Sequence, residues 1–164
     1  MKLVKFFCLS MTLLALSTSA QLVADPDWKE IEVPPPPSFA TNRLIPIEMP
    51  KYVSLRLGVD PQTIAITPDG IVRYVAVATN AAGSTTAMYE GIRCSSGEVK
   101  TYARFTSNGQ WSPVQDPEWR RLNDNLPSKH AMVLARLGVC EGRAASGNTA
   151  AAIVNTLKYP KVDN

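Results

Sequence analysis

Two charged residues near the middle of the chain, Arg73 and Glu90, have the types and spacing that could do chemistry. Each lies in an alternating, largely apolar stretch that is typical of a β-strand, and the two stretches follow each other directly. A four-residue loop over residues 80–83 would place Arg73 opposite Glu90 on an apolar face. Such a carboxylate could serve catalysis or ligand binding, but an arginine partner favours a buried ion pair. We therefore predict that Arg73 and Glu90 form a structural ion pair that fixes the register.

The opposite face of the same predicted sheet is aromatic and basic. Its members are Tyr74, Tyr89, Arg93, Tyr102 and Arg104. Rings interleaved with cationic side chains are typical of surfaces that stack on ligands or bind polyanions. The same residue types also occur on the partly covered outer face of ordinary strands. We favour an ordinary, partly covered outer face, and this set is the candidate binding face if the surface is open.

Two cysteines remain once an N-terminal leader that contains Cys8 is set aside. They are Cys94, at the end of a predicted strand, and Cys140, after a predicted helix. An even number of cysteines in an exported protein favours a disulfide. A redox-active pair is disfavoured because the sequence has no Cys-x-x-Cys motif. We predict a Cys94–Cys140 disulfide that joins the helix to the sheet.

Other catalytic chemistry has little support in the sequence. His130 is the only histidine, and we expect it to be exposed or to cap the helix that begins there. A zinc site needs three or four ligands, and both remaining cysteines are already assigned. Motifs of serine hydrolases, zinc proteases and phosphate-binding loops do not occur. We predict no catalytic residues, no metal site and no cofactor, although a hydrolase that uses carboxylates is compatible with the sequence.

The N-terminal part of the chain predicts export. Residues 1–20 have a basic start with Lys2 and Lys5, an apolar run and a small-residue end, which together indicate a signal peptide. Without it the net charge falls from +3 to +1, which argues against nucleic-acid binding. We predict no transmembrane segment after the leader, and a periplasmic location.

The rest of the chain divides into an arm and one domain. Residues 21–50 form a Pro-rich extended arm that we expect to lie along the domain, over the tyrosines of its outer face. The alternative is a ligand for an aromatic groove elsewhere. Residues 51–164 are predicted to form a single domain.

Turn signals divide that domain into strands and then helices. Asn108-Gly109 and the turn at residues 68–70 bracket a meander over residues 71–105. Helical patterns follow at residues 117–122, 129–137 and 150–157. We predict an α+β fold, in which an antiparallel β meander of five or six strands packs against C-terminal helices.

The meander also carries a resemblance to a known family. Its order and spacing resemble the signature of the cryptic neisserial protein-like family, cell-envelope proteins of β-proteobacteria. The matching residues are Arg73-Tyr74, the run Tyr-Glu-Gly-Ile-Arg-Cys at 89–94, Lys100-x-Tyr102-Ala103 and Gly109-x-Trp111. The resemblance implies an exported envelope protein without an established active site. Some members look like lipoproteins, but the leader of this chain lacks the small residues that a lipoprotein signal needs before its cysteine. Peripheral association with the outer membrane is the alternative to a free periplasmic location.

Together these features predict a non-catalytic binding or assembly module whose partner is an envelope protein or polymer. The alternative is a periplasmic hydrolase that acts on envelope polymers through a carboxylate. A free acid in a pocket would favour the hydrolase, whereas a fully bonded Glu90 would favour the binding module.

Overall fold

The structure is a computed structural model that describes residues 27–106, 108–126 and 128–160. The predicted signal peptide lies outside the described residues. Eight strands form one antiparallel sheet with the order β1-β2-β4-β5-β6-β7, in which β3 also pairs with β4 and β8 with β6. Their bounds are β1 Ile45–Ile47, β2 Arg56–Val59, β3 Ala65–Ile66, β4 Ile71–Thr79, β5 Thr85–Arg93, β6 Glu98–Phe105, β7 Trp111–Pro113 and β8 Arg120–Arg121.

Two short helices follow the sheet. Helix α1 (His130–Leu134) continues into a π-helical turn, Ala135–Val139, and a small hairpin of β9 (Cys140–Glu141) and β10 (Ala144–Ala145) leads to helix α2 (Ala150–Lys158). Thr149 caps α2 by accepting a hydrogen bond from the Ala152 amide. The predicted helix at residues 117–122 is wrong, because this segment is extended and contributes β8. The fold is α+β as predicted, with more strands than expected.

Both faces of the sheet are covered. One face packs on the helices through residues such as Val72, Tyr74 and Ile92. The other face, with Val75 and Tyr89, packs against β7 and against the predicted arm, which is described from residue 27 onward and is called the N-terminal segment below. Strand β4 is therefore buried along almost its whole length, and this explains why its sequence is nearly continuously apolar.

Asp60 anchors part of the N-terminal segment to the sheet. Its side chain is fully buried and accepts hydrogen bonds from the Ala40 amide and, at 2.7 Å each, from Nε and Nη2 of Arg43. Residues 45–47 then form strand β1 against β2. The sheet thus begins inside the segment that the sequence analysis assigns to the arm.

Strands β4 and β5 pair one residue away from the predicted register. Thr79 lies opposite Thr85, because the connecting loop has five residues rather than four. The Asn80 side chain stabilises this loop by accepting a hydrogen bond from the Ser84 amide at 2.9 Å. A shift of one residue moves a side chain to the other face of the sheet. Arg73 consequently pairs with Gly91, and Tyr74 pairs with Glu90.

A β-bulge changes the next pairing. Glu90 lies opposite Thr101 and Tyr89 opposite Ala103, so Tyr102 is the extra residue on β6. The ring of Tyr102 lies over Gly91, and a Cβ atom at Gly91 would come within 2.7 Å of the Tyr102 hydroxyl. The bulge thus places Tyr102 on the same face as Tyr89 and Arg73.

The predicted disulfide is confirmed. Cys94 and Cys140 are bonded, with a Cα–Cα distance of 5.6 Å. The bond joins the end of β5 to the end of the π-helical turn, where Gly138 adopts a positive φ of 147° and allows the chain to change direction. The helices are thereby tied to the sheet at one end.

Candidate functional site

Both carboxylate oxygens of Glu90 are hydrogen-bonded, and its ion-pair partner is His130 rather than Arg73. The carboxylate is 2% exposed. Its Oε2 lies 2.6 Å from His130 Nε2 and accepts a hydrogen bond from the Tyr74 hydroxyl at 3.0 Å. Its Oε1 accepts a hydrogen bond from Thr101 at 2.9 Å. The predicted Arg73–Glu90 ion pair is therefore wrong, because the five-residue loop puts the two side chains on opposite faces.

The surroundings of Glu90 and His130 favour the charged form of both. Burial raises the pKa of Glu90, but the charge of His130 and the three hydrogen bonds outweigh it and leave the pKa below its usual value. Burial lowers the pKa of His130, and the charge and hydrogen bond of Glu90 outweigh it in turn. His130 was expected to be exposed or to cap a helix, yet it is 5% exposed and holds a central position.

Arg73 takes its partners on the other face. Its Nη2 donates to Asp69 Oδ2 at 3.1 Å and lies 3.5 Å from Glu30 Oε1, while Nη1 donates to Thr67. Its side chain is 1% exposed. Burial lowers the pKa of Arg73, but the hydrogen bond from its guanidinium to Asp69, together with its charge interactions with Asp69 and two tyrosines, outweighs this and keeps the pKa above its usual value. Arg73 thus links strand β4 to the turn that precedes it.

Glu30 joins the N-terminal segment to the outer face of the sheet. Its carboxylate lies 2.7 Å from Lys100 Nζ and accepts hydrogen bonds from the Tyr102 hydroxyl at 2.7 Å and from Trp119 Nε1 at 3.2 Å. Beside it, the Trp28 ring lies 3.5 Å from the guanidinium carbon of Arg93. The prediction that this segment lies over the outer tyrosines thus agrees with the described contacts.

The candidate binding face does not exist as one surface. Tyr74 points toward Glu90 under the helices, whereas Tyr89 and Tyr102 lie under the N-terminal segment, and all three are buried. Arg104 is exposed and lines a cavity with His130, and Arg93 is half-buried against Trp28. The covered-face alternative is the correct description of Tyr89 and Tyr102.

One cavity, of about 430 Å³, lies next to the Glu90–His130 pair. Ser128 contributes to its wall, and its Oγ lies 2.9 Å from His130 Nδ1. Serine, histidine and glutamate therefore form a continuous hydrogen-bonded chain. The order resembles that of a nucleophile, a base and an acid in acyl-transfer enzymes.

A second and larger cavity, of about 820 Å³, opens beside the disulfide. It lies between the β5–β6 turn, β8, the π-helical turn and the β9–β10 turn. Four arginines from these elements line it, and Glu98 is the one carboxylate among its described lining residues. The arginines are Arg93, Arg121, Arg136 and Arg143. We call this cavity the arginine cavity.

The arginine cavity is strongly cationic. Arg121, Arg136 and Arg143 are exposed, and none of them makes an ion pair with a described carboxylate. Arg93 is held by the Trp28 ring, and its Nε atom is buried with no hydrogen-bond partner among the described residues. Such a set of guanidinium groups can bind an anion through paired hydrogen bonds.

Sequence reasoning missed the arginine cavity because its residues are far apart in the chain. In the sequence, the predicted disulfide is the feature that relates three of them. Arg93 precedes Cys94, and Cys140 lies between Arg136 and Arg143. The predicted disulfide could therefore have placed three of the four arginines together. The fourth, Arg121, comes from the strand β8 that was predicted as a helix.

Metal-ligand groups and membrane-spanning helices are both absent from the described residues. No group of three or more His, Cys, Asp or Glu side chains there is arranged to hold a metal ion. Of the helices in the described ranges, none is long and apolar enough to cross a membrane.

Comparison with known proteins identifies the family. No curated protein and no solved structure matches the chain. A family model, that of the CNP1-like family, matches residues 23–158. This range includes the whole sheet, both helices and the arginine cavity. The chain therefore belongs to the CNP1-like family.

Proposed function

We propose that the protein is an exported cell-envelope protein that works in the periplasm as a non-catalytic binding or assembly module, and that the arginine cavity is its contact site. The signal-peptide pattern of residues 1–20 and the disulfide support export, because disulfides persist mainly outside the cytosol. The envelope location is also what the family resemblance implies.

The observation that carries the proposal is the excess of positive charge in a concave site. Three exposed arginines, which make no ion pair with a carboxylate of the described residues, line a cavity large enough for a ligand headgroup or a partner side chain. Glu90, a carboxylate at the centre of the sheet, supports binding over catalysis. It accepts three hydrogen bonds and is buried, so it is not free to attack a substrate or to transfer a proton.

In-cell crosslinking tests the proposal. A photo-crosslinking amino acid at Asn123, which lines the arginine cavity, should capture a reproducible envelope component. The same residue at Ala81, an exposed position in the β4–β5 loop, is the matched control and should not capture it. Capture from both positions alike, or from neither, would contradict a binding site at the arginine cavity.

A second candidate function rests on Ser128, His130 and Glu90. Their hydrogen-bonded chain favours a serine hydrolase over the carboxylate hydrolase considered from the sequence, whose acid is buried here. A charged His130 is a poor base, however, and Ser128 faces Nδ1 while the carboxylate holds Nε2, which is the reverse of the usual triad. Labelling of Ser128 by a fluorophosphonate, lost in Ser128→Ala, would favour this candidate, and absence of labelling would remove it.

A further inference from the structure

We infer that the arginine cavity binds an anion that carries more than one phosphate group, either in solution or on a lipid headgroup. This inference rests on the proposed function and names the ligand chemistry of the same site. Four arginines against Glu98 give the described lining a net charge of about +3. A single carboxylate would leave most of that charge uncompensated, whereas a bisphosphate would match it.

A phosphate also suits a group of several guanidiniums, because its terminal oxygens can accept hydrogen bonds from more than one arginine, whereas a carboxylate has only two oxygens. An arginine presents its N–H donors in a planar fork that pairs with two oxygens of one phosphate. Arg93 is already oriented, because its guanidinium is stacked on Trp28, and its buried Nε has no hydrogen-bond partner among the described residues. Less side-chain freedom is then lost when the ligand binds.

The disulfide holds the cavity together. Cys94 and Cys140 both line it, and they join the strand that carries Arg93 to the segment that carries Arg136 and Arg143. The backbone amide of Leu122 donates to the Gly97 carbonyl at 2.9 Å and thereby positions the neighbouring Arg121. The arginines are thus supported by a covalent and a hydrogen-bonded frame, as expected of a preformed site.

The shape favours a compact ligand over a long nucleic acid. The arginine cavity has a volume of about 820 Å³, which is the size of sites for small molecules and headgroups. Outside the leader, the chain has 15 basic and 14 acidic residues, and this small net charge does not favour binding of a long nucleic acid.

Calorimetry and vesicle binding test the inference with the protein lacking only residues 1–20. The probes are pyrophosphate, citrate as a carboxylate of similar charge, and phosphatidylcholine vesicles with or without cardiolipin, a lipid whose headgroup carries two phosphates. The test variant is Arg136→Gln with Arg143→Gln, and Arg56→Gln is the control, because Arg56 is an exposed arginine on β2. All three arginines are exposed, so the variants should keep the fold, and this is checked by their melting temperatures.

We expect the protein to bind pyrophosphate, vesicles with cardiolipin, or both, and more tightly than citrate or neutral vesicles. The double variant should raise the Kd on the order of ten- to hundredfold, because the loss of a charge-assisted hydrogen bond weakens binding by about tenfold or more. Binding of pyrophosphate alone would identify a soluble phosphate ligand, and binding of acidic vesicles alone a lipid headgroup.

Three results would overturn the inference: no binding of either phosphate probe, equal binding of citrate, or equal weakening by Arg56→Gln. These outcomes are distinct from failure of the proposed function. If crosslinking at Asn123 still captures an envelope component, the binding module stands while its phosphate ligand is rejected.

Discussion

Replacing Glu90 by leucine should destabilise the domain severely, because two buried donors and one partly buried donor lose their common acceptor. Tyr74, Thr101 and His130 all bond this carboxylate, and the change leaves His130 with a buried charge and no counter-ion. Loss of one partner from a buried ion pair costs about 3–5 kcal/mol of unfolding free energy. For a domain of this length that corresponds to a fall in Tm of about 10–20 °C.

The second substitution in a double-mutant cycle identifies the partner. Glu90→Leu combined with His130→Leu should recover much of the loss, because neither charge is then buried. Glu90→Leu combined with Arg73→Met should be additive or worse, because Arg73 lies on the opposite face and bonds Asp69. Urea titrations give the four free energies. Recovery with Arg73→Met and none with His130→Leu would refute the register described above.

The same pair predicts a pH dependence. The raised pKa of His130 means that its contribution is complete below about pH 6.5, its unfolded value, and is lost as the pH rises through the folded value. The lowered pKa of Glu90 means that its contribution is present above about pH 4.3 and is lost as the pH falls. The wild type should therefore lose more stability between pH 5.5 and 9 than His130→Gln does, and equal losses would contradict the ion pair.

Three further predictions concern the frame around these residues. Gly91→Ala should destabilise by about 1–3 kcal/mol, because the new Cβ would come within 2.7 Å of Tyr102 and Ile71; an unchanged melt would contradict this contact. Replacing both cysteines by serine should cost about 4 kcal/mol, given the 46-residue separation, and a cost near zero in urea titrations would refute it. Glu30→Gln should speed tryptic cleavage after Lys29, whereas unchanged cleavage would show that Glu30 does not hold the N-terminal segment.

Loop length explains why the site could not be predicted in full. The sequence around Asn80 and Gly83 indicates a turn, but it is compatible with four or five residues. With five residues in the loop, Arg73 bonds Asp69 and Glu90 bonds His130, instead of Arg73 and Glu90 bonding each other. The bulge at Tyr102 could not be predicted either, because the alternating pattern of β6 does not indicate where an extra residue is placed.

The burial of the tyrosines was decided by a contact between distant parts of the chain. An aromatic and basic strand face has the same sequence pattern whether it is exposed to solvent or covered by another segment. Here Glu30 bonds Lys100 and Tyr102 across about 70 positions of sequence, and this turns a candidate surface into an interior. The Glu90–His130 pair likewise joins residues that are 40 positions apart.

The sequence by itself determined the local features: the α+β class, the order of the central strands, the turn at Asp69-Gly70 and the Cys94–Cys140 disulfide. These follow from composition, from alternation and from turn chemistry, each of which acts within a few residues, and from the small number of cysteines. The tertiary structure alone decided which face each side chain occupies, that Glu90 is bonded by His130, and that four arginines surround one cavity. The physical reason is that side chains alternate with a period of two along a strand, so one residue of register moves every one of them.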